Sequence, residues 1–204
     1  MAKASRGRPK TLDREQTLAV AIQAYWREDV DSISLNEICR RAEVSKPSLY
    51  REFGNEDGLM KAVLVAYQKQ VLAPVYQMIA ADAPFRETLD SLVSMVTRSG
   101  NAPFISDDQA IPSGCLFVKM REFYRHLGAE TRTEVDQAKE EALTVYEVWV
   151  TRARAKGEFT GEMSSRFAAI YIDAQLSNAA SLLARGEPNN EVKKILTVAF
   201  SMLG

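Results

Sequence analysis

Apolar residues along this chain recur every three to four positions, and strict alternation of apolar and polar residues is scarce. That period predicts an all-α protein. From Asp13 to about Glu28, Leu18, Ile22, Tyr25 and Trp26 form one stripe behind an Asp13 that can cap the first turn. Ser34 caps a short second helix in which Leu35, Ile38, Cys39 and Ala42 share one face and Asn36, Arg40 and Arg41 the other. Ser45 caps a third helix to about Phe53, with Pro47 in the first turn, where a missing N–H costs little. Gly54 ends it. Asn55 caps a long fourth helix, Glu56 to about Ala81, which should bend at Pro74 or pause around "LAPV". Further helices are expected near 85–99, 113–127, 130–156, 162–185 and 190–203, split by "SGNAP", "LGAE", "KGEFTG" and "RGEPNN". No repeat of solenoid spacing occurs, and 100–112 reads as a mobile loop.

Composition narrows the function classes. At 204 residues and 46% hydrophobic the chain can bury a real core. Net charge is −1, but residues 1–53 carry 10 Lys/Arg against 8 Asp/Glu, and the remainder 16 against 19. Lys3, Arg6, Arg8 and Lys10 make "MAKASRGRPK" a flexible cationic arm, residues 1–12, with no apolar stretch behind it of the kind a signal peptide needs. No run approaches the ~18 apolar residues of a membrane span, so a soluble, cytoplasmic protein is expected. Cys39 and Cys115 lie too far apart to suggest a disulfide framework or zinc cluster. The single histidine, His126, leaves little room for acid/base chemistry, and no P-loop, dinucleotide fingerprint or nucleophile elbow is present. An enzyme is therefore not expected, nor a metal or cofactor.

Two short helices joined by about three residues, the second opening with Ser, Lys and Pro, form a helix-turn-helix pattern, whose second helix lies in the major groove of double-stranded DNA. The N-terminus of that helix presents free N–H groups and a positive dipole end to phosphates, and Lys46, Ser48, Tyr50 and Arg51 supply donors. Tyr50 could instead pack against Phe53, Lys46 and Arg51 could be solvated charges, and Arg6, Arg8 and Lys10 could be an idle tail rather than a minor-groove or phosphate contact.

The segment "AVAIQAYWREDVDSISLNEICRRAEVSKPSLYREFGNEDGLMKAVL" resembles the DNA-binding domain of the TetR family of transcriptional regulators. Its most specific part is "VSKPSLYREF" after "SLNEIC", where the family pattern has Val-Ser-x-x-Ser/Thr-Leu-Tyr-x-x-Phe. The resemblance implies that Lys46, Pro47, Ser48, Tyr50 and Arg51 occupy positions that commonly touch DNA, and that Ser34 caps a helix whose start meets a phosphate. It divides the chain into a helix-turn-helix domain, 13–54, and a helical effector-binding and dimerisation domain, 55–204. Four positions depart from it. Glu43 replaces a turn glycine at roughly 1–2 kcal/mol for an L-residue in the left-handed region, and Asp29 replaces the glycine after helix one. Pro47 removes a backbone donor, and Glu56 stands where many members place a phosphate-binding lysine, a contact then lost or moved to Lys61.

Such a reader pairs two half-sites about one turn apart, so a homodimer on a palindromic operator is expected. In "RFAAIYIDAQLSNAASLLARG" small residues, Ala179 among them, mingle with Phe167, Ile172, Leu176 and Leu183, and the last helix adds Ile195, Val198 and Met202; paired with their symmetry mates, these two helices would make a four-helix interface. The same residues could simply bury against their own subunit. Between the ends, Cys115, Met120, Phe123, Tyr124, Tyr146 and Trp149 could line an apolar effector pocket or form plain core. Cys115, at an expected helix start with Lys119 one turn on, is a candidate for a lowered thiol pKa, and "GCLFVK" resembles the cysteine segment of family repressors that respond to electrophiles and oxidants. Two control mechanisms thus stay open, a small apolar effector and modification of Cys115. Either would shift the middle helices, tilt helix four and move the recognition helices out of register. A helical scaffold or enzyme without DNA binding is the remaining alternative.

Overall fold

The computed structural model describes residues 12–28, 30–98 and 114–203. The expectations for the basic arm with Arg6, Arg8 and Lys10, for Asp29 and for the 100–112 loop fall outside them. Ten α-helices and no strand make up the described residues: α1 (Arg14–Arg27), α2 (Leu35–Arg41), α3 (Lys46–Phe53), α4 (Glu56–Tyr67), α5 (Ala73–Ala80), α6 (Phe85–Val96), α7 (Leu116–Glu122), α8 (Ala129–Ala155), α9 (Ser165–Ala184) and α10 (Asn189–Phe200). No described helix is long and apolar enough to cross a membrane.

The expected caps form. Asp13, Ser34, Ser45 and Asn55 each accept a hydrogen bond from the backbone N–H three residues on, at 3.1, 3.3, 3.2 and 2.8 Å. These bonds satisfy donors that a helix start otherwise leaves orphaned. The irregularity forecast for the fourth helix is a π turn over Gln68–Leu72, directly before Pro74. Proline has no N–H to continue the α ladder, and the Ala73 N–H bonds the Gln68 carbonyl, five residues back. The helix expected at 113–127 is shorter, α7 followed by a 3-10 turn at Tyr124–His126.

Two apolar cores result. The first joins α1, α2 and α3 to α4, α7 and the front of α8 through Ile22, Tyr25, Trp26, Leu49, Leu64, Tyr67, Phe117 and Met120. The second fills the space among α5, α6, the rear of α8, α9 and α10, where Phe85 meets Trp149 at a ring-centroid distance of 4.5 Å and Phe159 edge-on at 5.7 Å. The head formed by α1–α3 therefore shares its core with the body.

A polar clasp fastens α4, which follows directly on the head, to α8. Gly128, the N-cap of α8, has no side chain to offer, and Asp57 of α4 takes its place. Its carboxylate accepts the Glu130 and Thr131 N–H groups at 2.9 and 3.0 Å and the Thr131 hydroxyl, so one helix caps another across the joint. A β-carbon at Gly128 would sit 2.1 Å from Asp57 Cγ, so only glycine leaves room for the carboxylate.

Candidate nucleic-acid interface

Helix α2 ends in a Schellman arrangement: the Glu43 N–H bonds the Arg40 carbonyl at 3.3 Å, and the Val44 N–H bonds the Cys39 carbonyl at 3.0 Å. The geometry requires a left-handed residue, and Glu43 supplies it at φ 54°. The turn keeps the shape that glycine would give it, at the cost expected from the sequence. A second set of contacts locks α2 onto α1. The Arg41 guanidinium grips the carboxylates of Glu28 and Glu37, and Arg40 closes on Glu37 from the other side. Hydrogen bonds from Arg40 and Arg41 hold the Glu37 carboxyl down at about 2.

That frame aims α3 outward. Leu49 is fully buried and Phe53 half-buried, which anchors one side of the helix. Lys46, Pro47, Tyr50 and Arg51 stand exposed on the other, with Ser48 half-buried between them. Tyr50, 38% exposed, lies under the Lys46 ammonium at 5.5 Å, so the core alternative for this ring does not apply. Ser45 Oγ and Ser48 Oγ are 2.8 Å apart, and Arg51 donates to Ser48 Oγ at 3.1 Å. No acid occupies the first turn of α3. The result is a solvent-facing surface of two cations, two hydroxyls and an aromatic ring at a capped helix start, able to donate to phosphates and base edges. Ser34 is also exposed at the start of α2. Lys61 does not join this surface, because its ammonium pairs with Glu130 at 3.3 Å on the joint with α8. Nothing in the motif signalled that pairing, since the partner is 69 residues away.

In the body, the residues considered for an effector differ in burial and in partners. Met120, Tyr146 and Trp149 are buried; Phe123 stacks on His126, and Tyr124 donates to Asp136 at 2.7 Å. Met120 belongs to the first core and Tyr146 and Trp149 to the second. Cys115 is the N-cap of α7, and its Sγ accepts from the Tyr67 hydroxyl at 3.3 Å. Burial pushes its thiol up, outweighing the Tyr67 hydroxyl and the Val118 and Phe117 amides. This reverses the lowered pKa expected from the sequence. Lys119 has turned away from the thiol to bond the Trp26 carbonyl at 2.9 Å. Cys39 is buried, and burial raises its pKa as well. Sequence reasoning missed the polar group beside Cys115: Tyr76 and Tyr146 lie within electrostatic reach of Arg121, Asp173 and the thiol, and Arg121 grips the Asp173 carboxylate through two bonds of 3.0 and 2.9 Å.

On α9 and α10 the expected interface set divides by face. Phe167, Ile195, Val198 and Met202 are 56%, 44%, 70% and 66% exposed, and Leu176 is partly so. Ile172, Ala179 and Leu183 are buried in their own subunit's core and cannot reach a partner. Ile170, 48% exposed, and Ala174 continue the outward stripe from Phe167. Helix α9 is apolar on both faces, and periodicity alone cannot tell the outer stripe from the inner one.

Residues 18–63, from α1 into α4, match the family model described as bacterial regulatory proteins, tetR family. The HTH-type transcriptional repressor ComR of Escherichia coli (strain K12) is 40% identical over 65 residues, 32% of this chain and 31% of ComR. The chain thus matches about a third of that relative's length. Over the whole fold, the reduced form of E. coli NemR superposes with a TM-score of 0.78 at 17% identity, covering 94% of this chain and 97% of NemR. A cysteine mutant of the TetR family transcriptional regulator CifR, complexed with a 26-bp double-strand operator DNA, gives 0.75 at 21% identity, covering 97% and 100%.

Proposed function

Because residues 18–63 match the model of the tetR family of bacterial regulatory proteins, we propose that the chain is a homodimeric transcriptional repressor of that family that binds a palindromic operator through α3. The observation that carries this reading is the outward face of α3, where Lys46, Pro47, Tyr50 and Arg51 stand free of the core on a helix held by Ser45, Leu49 and the α2 clasp. Lys46 and Arg51 neutralise phosphates or read guanine edges, Tyr50 and Ser48 add hydroxyl contacts, and the arm with Arg6, Arg8 and Lys10 follows the adjacent backbone or minor groove. Pro47 and Glu56 withhold two phosphate contacts, which places more of the affinity on that arm.

The second copy is seated on the exposed stripe of Phe167, Ile170, Ile195, Val198 and Met202, an apolar surface of the kind that marks an interaction site. Release is proposed to follow when a small apolar effector shifts the helices around α7 and α4. Thiol modification at Cys115 is the second reading: the thiol is half-buried, and its desolvation favours the less reactive protonated form. Fragment selection from the source genome, followed by gel shifts with Lys46→Ala and Arg51→Ala, tests the DNA assignment. Each variant should weaken binding, and loss of a phosphate contact should lower the slope of log affinity against log salt by about one. Unchanged binding in both would remove α3 as the reader. Release by an electrophile that persists in Cys115→Ser would exclude the cysteine route.

A further inference from the structure

Helix α7 lies between α9 and the reading head and is bonded to both. Toward α9, the Arg121 guanidinium is paired with Asp173 and donates to Ser177 Oγ at 3.0 Å, while the Ser181 hydroxyl donates to Glu122 at 2.6 Å. Gly114, at φ +83°, lies so close to α9 that a β-carbon would stand 2.7 Å from the Ala180 carbonyl. Toward the head, the Gly114 carbonyl accepts the Trp26 indole N–H at 3.2 Å, and the Lys119 ammonium donates to the Trp26 and Glu28 carbonyls at 2.9 and 3.4 Å.

Those carbonyls end α1, where the helix leaves acceptors unsatisfied and its dipole is negative. A cation from a helix more than 90 residues away therefore caps α1. Glu28 carries the contact onward: its backbone carbonyl meets Lys119, and its carboxylate meets Arg41 of α2, which leads through the Glu43 turn into α3. The line runs from α9 through Arg121, α7, Lys119, Glu28 and Arg41 to the recognition helix without a gap.

We propose that Lys119 is a positioning residue for operator recognition: by capping the end of α1 it fixes the angle of the head on the body and so sets the separation of the two recognition helices in the dimer. This rests on the repressor reading above. Apolar packing in the shared core holds the head on but is non-directional, whereas an ammonium seated on two carbonyls fixes where the end of α1 lies. Without it the head stays folded and attached but samples a wider range of angles.

The test compares full-length wild type, Lys119→Met and Lys119→Arg on the operator selected by the wild type and on versions with the half-sites moved one or two base pairs closer or farther. Thermal unfolding and dimer mass are recorded for each. Lys119→Met should remain a folded dimer, bind the native spacing roughly tenfold more weakly and lose most of the preference for that spacing. Lys119→Arg, which still reaches both carbonyls, should restore the preference. Equal weakening at every spacing, or wild-type affinity throughout, overturns the proposal. Should Lys119→Met not fold, Lys119→Gln, which keeps an apolar stem but loses the charge and the reach of the ammonium, is read by the same two outcomes. A wild type that selects no operator instead defeats the repressor reading itself, before any variant is compared.

Discussion

Replacing Asp57 by alanine tests how α4, the helix that follows the head, is fastened to α8. The carboxylate accepts two backbone N–H groups and one hydroxyl at the start of α8. Bonds to charged groups are worth about 1.5–3 kcal/mol each when buried, and a lost N-cap costs about 0.5–2 kcal/mol. The Glu130 amide lies at the surface, where water can replace the carboxylate, while Thr131 is fully buried and keeps only its hydroxyl bond to the Asp57 carbonyl at 3.0 Å. Together these give a loss of about 3 kcal/mol for Asp57→Ala and roughly half that for Asp57→Asn, which retains one acceptor. Gly128→Ala should cost a similar amount by displacing the carboxylate, and much less once Asp57 is already alanine. The double-mutant cycle should therefore show a coupling of about 2 kcal/mol. Urea unfolding at one fixed protein concentration measures all four chains, since oligomerisation makes the midpoint concentration-dependent. An Asp57→Ala change below about 0.5 kcal/mol, or additivity of the two substitutions, would refute the cap assignment.

Glu43→Gly relieves an L-residue at φ 54° and should raise stability by about 0.5–1 kcal/mol, the left-handed penalty less the entropy of a glycine in the unfolded chain; a lower urea midpoint would contradict this. Glu37 titrates near 2 when folded against an ordinary 4.5, so its contribution is full above the ordinary value and is lost as pH falls through that window. Acid unfolding of Glu37→Gln should be correspondingly flatter between those values, and an unchanged acid limb would count against the Arg40 and Arg41 clasp. Val198→Glu places a charge on the most exposed apolar side chain of α10, 70% accessible. Light scattering should show a monomer with intact helical circular dichroism, and a persistent dimer would move the interface elsewhere.

The elements were legible in the sequence because their signals are local. Asp13, Ser34, Ser45 and Asn55 announce helix starts, Gly54 a stop and Pro74 a disturbance, and each acts within a turn of its own position. The outward face of α3 was legible for the same reason, since Leu49 and Phe53 fix one side and leave Lys46, Pro47, Tyr50 and Arg51 on the other. Long-range partners left no such mark. Lys119 looked like a neighbour of Cys115 and instead caps a helix 93 residues away; Lys61 looked free for phosphate and pairs with Glu130. Spacing put Cys115 at a helix start, which lowers a thiol pKa, while the burial that raises it comes from the surrounding fold. On α9 the two apolar stripes overlap in sequence, so Ile172, Ala179 and Leu183 could be distinguished from Phe167 and Ile170 only once α8 and α10 were in place.

The central claim, that this chain reads DNA as a dimer through α3, is tested most directly by selecting genomic fragments with the purified full-length protein and measuring their binding across salt concentrations. A palindromic site with half-site centres about one helical turn apart is expected, bound selectively and more weakly as salt rises, with selectivity lost when Tyr50 and Arg51 are both replaced by alanine. Absence of sequence-selective binding at every salt concentration between roughly 50 and 200 mM would contradict it.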